Sequence, residues 1–375
     1  MIALSQAQAR RIWLHAQRLD VATPFGEGPG ATPAAVAHLG YVQIDTINVI
    51  ERCHHHILWS RIPGYQRAHL RQAQSADKSI FEYWTHALAY VPTADFSFYR
   101  AKMQFYRDSP IPWFKNVLPA DAEGVIATIK RDGPLSIRDF DQDVRIEKEH
   151  LWGSTKPSKR ALQMAFFTGD LTVSARDGML KSYDLPGRHF GWTKPPKAAT
   201  ALQVTGYLLD RALRAQGLVS LDSICHLDAK QKPAMRALID ARIKRGTLLE
   251  FELEGAAKIP HWMAPDTPAP HTDTPVHILS PFDPLIIQRK RLSLIFGYDH
   301  IFEAYVPKPK RVLGYFALPV LVDDEIVAAI DIKTERAAKQ LLVQQWTWMG
   351  KHKSAARKRR IEEALHRFQR FQLAG

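Results

Sequence analysis

At 375 residues the chain is long enough for two or three domains, and its 46% hydrophobic content and mean hydropathy of −0.25 come without any run near the ~18 consecutive apolar residues that a membrane helix needs. Fifty-one Lys and Arg against 38 Asp and Glu give a net charge of +13 and a pI near 9.7, which favours a polyanionic partner such as nucleic acid. Two cysteines, Cys53 and Cys225, lie far apart and outside any C-x-x-C pair, which argues against a disulfide framework or a cysteine zinc site and fits a reducing cytoplasm.

The opening MIALSQAQARR leads straight into a helical pattern without the apolar segment and cleavage site of an export signal. A helix is expected over residues 5–17, followed by a loop with GEGPG and a short helix, TPAAVAHL. GEGPG follows a helix rather than a strand, so it reads as a flexible connection and not as a phosphate loop. YVQIDTIN (residues 41–48) then reads as a strand. Alternation would place Val42 and Ile44 on one face and Gln43 and Asp45 side by side on the other. A solvated strand face shows the same alternation, so spacing alone leaves both readings open.

Next comes Cys53-His54-His55-His56, in a helical stretch. Three successive histidines on one element point in different directions and cannot converge on one ion, so surface or DNA-facing positions are expected and no metal or cofactor is assigned. In the strand-like IFEYWTHALAYV, Glu82, Trp84 and His86 also alternate, and core packing with ordinary hydrogen bonding is the simplest account of them. These elements form a first winged-helix-like unit, residues 1–118.

Two later segments echo each other. GPLSIRDF (residues 133–140) and GLVSLDSI (residues 217–224) each follow an amphipathic helix and place a serine where it can cap a short second helix. Each is followed by a further helix and a hairpin. In the first, Gly169 ends the helix and Asp177-Gly178 supplies the turn. Helix, short helix, helix and two-stranded wing define winged-helix units over residues 119–198 and 199–263. The Pro-rich APDTPAPHTDTP (residues 264–275) reads as a linker. Beyond it, residues 276–375 carry short strands with an Asp323-Asp324 turn signal, expected as a small β-barrel or sheet, and then a basic helix. Residues 351–375 hold eight Lys and Arg against two Glu, a net +6. The expected class is mainly α with β, an α+β fold of tandem winged helices.

Several blocks, in order, carry a family resemblance: QIDTINVIER with HHILWSR; FEYWTHALAYVP; the WG, KR, GDLTVSARDG and YDLP series; LSPFDPLI; and RLSLIFGYDHIFEAYVPKPKRVLGYFALPVL. Over nearly its whole length the chain resembles the winged-helix DNA glycosylases of the AlkZ and YcaQ type. Gln43-Ile44-Asp45 matches the Gln-apolar-Asp signature of the YcaQ-like branch. The resemblance implies tandem winged helices with a C-terminal β-barrel, and excision of N7-alkylated purines, including those tied into interstrand crosslinks, with Gln43 and Asp45 as catalytic residues. It also makes Glu82, Trp84, His86 and Asn48 candidates for the pocket. The chemistry agrees: a purine alkylated at N7 is already cationic and leaves without a general acid, whereas positive charge builds on the deoxyribose. A fixed carboxylate at Asp45 stabilises that charge, and the amide of Gln43 can hold the attacking water.

Phosphate contacts, which position a protein without reading sequence, are expected from Lys156, Lys159, Arg160, Arg176 and Lys181 in the second winged unit, and from Arg357, Lys358, Arg359 and Arg360 in the terminal helix. The expected protein is a monomeric glycosylase acting through water on double-stranded DNA with alkylated purines. A winged-helix transcription regulator is the competing reading; it would need neither the Gln-Ile-Asp pair nor the SPFDP block. A metal-dependent nuclease ranks last for want of a clustered carboxylate motif.

Overall fold

The computed structural model describes residues 2–109, 114, 117–140, 154, 156–268 and 275–374. They pack as two units, one formed by Met1–Tyr65 with Leu208–Gly375 and the other by Gln66–Tyr207. Trp152 and Gly153 of the WG block, and residues 269–274 of the Pro-rich linker, lie outside the described residues.

The first unit opens with β1 (Ile2–Leu4) and α1 (Gln6–Ala16). Ser5 begins α1 with a capping box: its hydroxyl accepts from the Gln8 amide while Gln8 Oε1 accepts from the Ser5 amide at 2.8 Å. α2 (Ala31–Leu39), β2 (Val42–Gln43) and α3 (Cys53–Trp59) follow. In the second unit come α4 (Arg67–Ser75) and a hairpin of β3 (Ile80–Trp84) and β4 (Leu88–Pro92), in which Glu82 faces Tyr90. After α5 (Phe96–Asp108), the elements α6 (Pro119–Asp132), β5 (Leu135–Ser136), α7 (Pro157–Phe167), β6 (Thr172–Asp177) and β7 (Leu180–Asp184) stand in winged-helix order, and α8 (Pro186–Phe190) ends the series. The sheet runs β5-β7-β6, and Gly178 makes the β6–β7 turn at φ +57°, where an L side chain would be strained.

The same order recurs in α9 (Ala201–Gln216), β8 (Leu218–Val219), α10 (Leu221–Ile224), α11 (Lys232–Lys244), β9 (Leu249–Leu253) and β10 (His261–Met263). Its sheet runs β9-β10-β8, with β1 added parallel to β9. The serines at the start of both short helical turns are caps: Ser136 Oγ accepts from the Arg138 amide at 3.2 Å, and Ser220 Oγ from the Ser223 amide at 3.3 Å.

The chain ends with β11 (His277–Ile278), α12 (Arg289–Phe296), β12 (Ala317–Val322), β13 (Glu325–Glu335), β14 (Gln340–Trp348) and α13 (Ala355–Leu373). The strands form an antiparallel sheet in the order β11-β12-β13-β14. Among the described residues this sheet is open rather than a closed barrel. β11 has only two residues, too few to complete a ring with the nine of β14. Beneath it lies a core of Trp13, Leu14, Leu285, Ile286, Leu292 and Ile295. A buried ion pair crosses this unit. Arg61 donates to both oxygens of Asp283 at 2.8 and 2.9 Å and to the Gln17 carbonyl at 2.9 Å, with both charged side chains fully excluded from solvent.

Candidate active site

Gly40 ends α2 in the left-handed region at φ +78°, and the chain turns into β2. Val42, Gln43 and Ile44 are all buried, at 0, 6 and 5% exposure, so the solvated-face alternative does not hold at Gln43. The strand itself stops at Gln43. Asp45 stands two residues beyond it in irregular backbone, half-buried, and its Oδ1 accepts the Ile47 amide at 2.7 Å, an Asx-type turn that fixes the carboxylate locally. Cys53, the first residue of α3, donates its Sγ–H to the Gln43 carbonyl at 3.0 Å. Burial pushes the Cys53 thiol well up, and the nearby Asp45 charge adds to the effect. Cys53 therefore acts as a neutral prop beneath the Gln43–Asp45 segment.

Residues 48–50 are held from the end of β13 and the turn that follows it. The Thr334 amide donates to the Val49 carbonyl at 3.2 Å. Arg336 Nη2 donates to Asn48 Oδ1 and to the Ile50 carbonyl, each at 3.0 Å. Asn48, a pocket candidate from the sequence, thus sits exposed with its side-chain carbonyl on an arginine. No local signal in the sequence points to Thr334 or Arg336, since they lie nearly three hundred residues from the segment they touch.

The histidine run is mostly interior, which corrects the expected surface or DNA-facing positions. His54 and His56 are 3 and 1% exposed, and only His55 keeps partial exposure, with Nδ1 2.6 Å from the Tyr65 hydroxyl. Burial lowers the His56 pKa to about 4, so the ring is neutral and donates from Nε2 to the Ile278 carbonyl at 2.8 Å. The cause is α13, whose Phe368 packs 4.6 Å from the His56 ring and whose Phe371 stacks on Trp59. Among the described residues no group of three or more His, Cys, Asp or Glu could hold a metal ion.

In the second unit Glu82 is fully buried. Arg176 donates to it through Nε at 2.5 Å and Nη2 at 2.7 Å, Gln74 donates at 2.9 Å, and Lys181 Nζ lies 3.9 Å away. Burial opposes ionisation of Glu82, but the Arg176 charge and hydrogen bonds outweigh it and hold the carboxyl below its ordinary range. Glu82 therefore stabilises the unit rather than lining an open pocket. The same geometry commits Arg176 to Glu82, while Lys181 keeps 22% of its side chain exposed beside the same carboxylate. Trp84 leans on Phe167 with ring centroids 5.4 Å apart, and His86 falls in the hairpin turn, its Nδ1 3.4 Å from Thr85 Oγ1.

Of the remaining cations in that unit, Lys159 is exposed, Lys156 half-buried and Arg160 buried. On α13, Arg357 donates to Glu325 at 2.6 Å, Arg360 pairs with Asp323 at 2.9 and 3.1 Å, and Lys358 lies 3.6 Å from Glu362. Arg359 is exposed. Half-buried carboxylates at the β12–β13 turn (Asp323) and at the start of β13 (Glu325) neutralise two of the four cations, which the sequence of α13 by itself does not reveal.

A family model described as DNA glycosylase AlkZ-like matches residues 36–371. Among solved structures, the Streptomyces sahachiroi DNA glycosylase AlkZ is similar, with a TM-score of 0.68 and 17% sequence identity over 99% of this chain and 97% of that one. At that identity the likeness shows the fold. Among the described residues no helix is long and apolar enough to cross a membrane.

Proposed function

This chain belongs to the AlkZ-like DNA glycosylase family, and from that premise we propose that it excises N7-alkylated purines from double-stranded DNA, with Asp45 as the catalytic carboxylate and Gln43 as its partner. The family makes it a DNA glycosylase, an enzyme whose substrate is DNA; the lesion class and the two residue roles are our reading. In this mechanism the bond from C1′ of the deoxyribose to N9 of the base breaks, and its electron pair goes to the base, cancelling the positive charge that alkylation placed there. No general acid is needed. Positive charge then gathers on the sugar, where a fixed carboxylate stabilises it in a site of low polarity. Water adds to C1′, and its proton passes to Asp45, leaving an abasic site and a neutral free base.

The observation that carries the proposal is the placement of Asp45. It is held by the Ile47 amide two residues past the end of β2 and is half-exposed, while Gln43 is buried. Unlike Glu82, which is closed off by Arg176, Asp45 keeps a solvent-facing side open to an approaching sugar. The three winged-helix-like units, residues 1–118, 119–198 and 199–263, would form the frame that grips the duplex, and the enzyme would work as a monomer. The test is incubation of the protein with duplexes carrying N7-methylguanine, or an N7-to-N7 crosslink, followed by scoring of alkali-labile abasic sites. Release of N7-methylguanine supports the proposal; binding of the duplex without any base release would refute it.

A further inference from the structure

Asp45 sits in an irregular segment between the last residue of β2 and the first of α3, where holding each residue in place costs ordering entropy that some contact must offset. Within the segment, the Ile47 amide holds Asp45 Oδ1. From outside it, the hold comes from the end of β13, where Thr334 is paired with β14, and from Arg336 in the turn that follows. Thr334 is 4% exposed, reaches Gln372 of α13 at 3.4 Å and holds Val49 through its amide. Two residues on, one nitrogen of Arg336 bridges Asn48 Oδ1 and the Ile50 carbonyl. We propose that Arg336 is a positioning residue for Asp45, acting through Asn48 as a latch between the C-terminal sheet and the catalytic segment.

The proposal rests on the catalytic reading of Asp45 given above. Its physical basis is a contrast. Arg336 and Asn48 are both exposed, so their hydrogen bond contributes little to global stability. What the bridge does is remove freedom from a carboxylate three residues away, and catalytic groups lose rate steeply when they drift from the reacting atoms. A lysine ammonium also has donors for both acceptors, but it lacks the planar guanidinium that fixes the direction of the N–H bonds, so it would hold the segment less rigidly.

The experiment compares Arg336→Ala, Arg336→Lys, Asn48→Ala and the Arg336→Ala/Asn48→Ala pair in the full-length protein. It reads thermal midpoint, affinity for a duplex with N7-methylguanine, and single-turnover excision with enzyme saturating. The expected result is an unchanged midpoint and affinity, a fall in rate of about tenfold to a hundredfold for Arg336→Ala, and a smaller fall for Arg336→Lys. The pair should be no slower than the slower single variant, because both changes open the same latch. Introduced into Asp45→Asn and followed over long incubations, Arg336→Ala should cost nothing further. A loss of affinity that accounts for the whole effect would make Arg336 a phosphate contact and overturn the proposal, as would the same fold-loss in Asp45→Asn. Wild-type excision by Asp45→Asn with Arg336 intact would overturn both the latch and the catalytic reading beneath it, and it is read in a separate variant from the other two outcomes.

Discussion

Two carboxylates that the sequence places in suggestive blocks, Glu82 in FEYWTHALAYVP and Asp283 in LSPFDPLI, are each locked to an arginine out of reach of solvent. Removing one partner of such a pair leaves the other charge buried and alone, so Asp283→Ala should destabilise the protein by about 3–5 kcal/mol, measured as a drop in chemical or thermal unfolding midpoint. A variant that melts together with wild type would mean that Arg61 finds another partner. Asp45 differs from both in keeping an exposed side, which leaves it open to substrate. Its type and its neighbour Gln43 are legible in the sequence, because a family signature fits the chemistry at those positions. The burial of Gln43 and the closure of Glu82 by Arg176 are not, since both depend on partners distant in sequence.

At the scale of elements, α13 combines an apolar face with a cationic one. Ile361, Ala364, Leu365, Phe368 and Phe371 are buried, with Phe368 and Phe371 against His56 and Trp59 of α3. Deleting residues 351–375 would therefore uncover the helix that follows the Asp45 segment and would test folding before it tested charge. Phe368→Ala should cost about 3–5 kcal/mol of stability. By contrast, the double change Lys358→Gln and Arg359→Gln should leave the unfolding midpoint in place. If those side chains touch phosphates, it should lower the slope of log affinity against log salt by roughly 0.9 for each phosphate no longer neutralised. An unchanged slope would assign that face of α13 to solvent alone. Helices, their serine caps and the hairpin turn at Gly178 are legible in the sequence because a few neighbouring residues decide them. The opening of the C-terminal sheet, and the hold of β13 on residues 48–50, follow from strand lengths and from packing between distant parts of the chain, which local patterns do not encode.

For the molecule as a whole, charge sets the response to pH. His56, His277 and His300 are all buried, and burial lowers each pKa to about 4, below the ordinary histidine value. Unfolding frees them to take up protons between their ordinary range and pH 4, so the unfolded state binds more protons in that window and stability rises with pH across it. The contribution is complete above about pH 6.5 and lost as pH falls toward 4. Glu82, held below its ordinary range, loses its contribution only at lower pH, so the histidine effect is read between about pH 6.5 and 5. The thermal midpoint should fall over that interval, and His56→Gln should shallow the fall. A midpoint that stays flat from about pH 7 to 5 would contradict this picture of a neutral, buried histidine set.

The central claim is that a fixed negative charge at Asp45 drives cleavage of the glycosidic bond, and the direct measurement is single-turnover excision of N7-methylguanine by Asp45→Asn, with enzyme in excess over duplex. Asparagine keeps the shape and can still accept the Ile47 amide, so the segment should stay in place and DNA affinity should remain within a few-fold. Gln43→Ala, which removes the water-holding amide and leaves the charge, should be the milder of the two. With the charge gone, the Asp45→Asn rate should fall by orders of magnitude at unchanged affinity. A rate near wild type would show that cleavage does not depend on that charge.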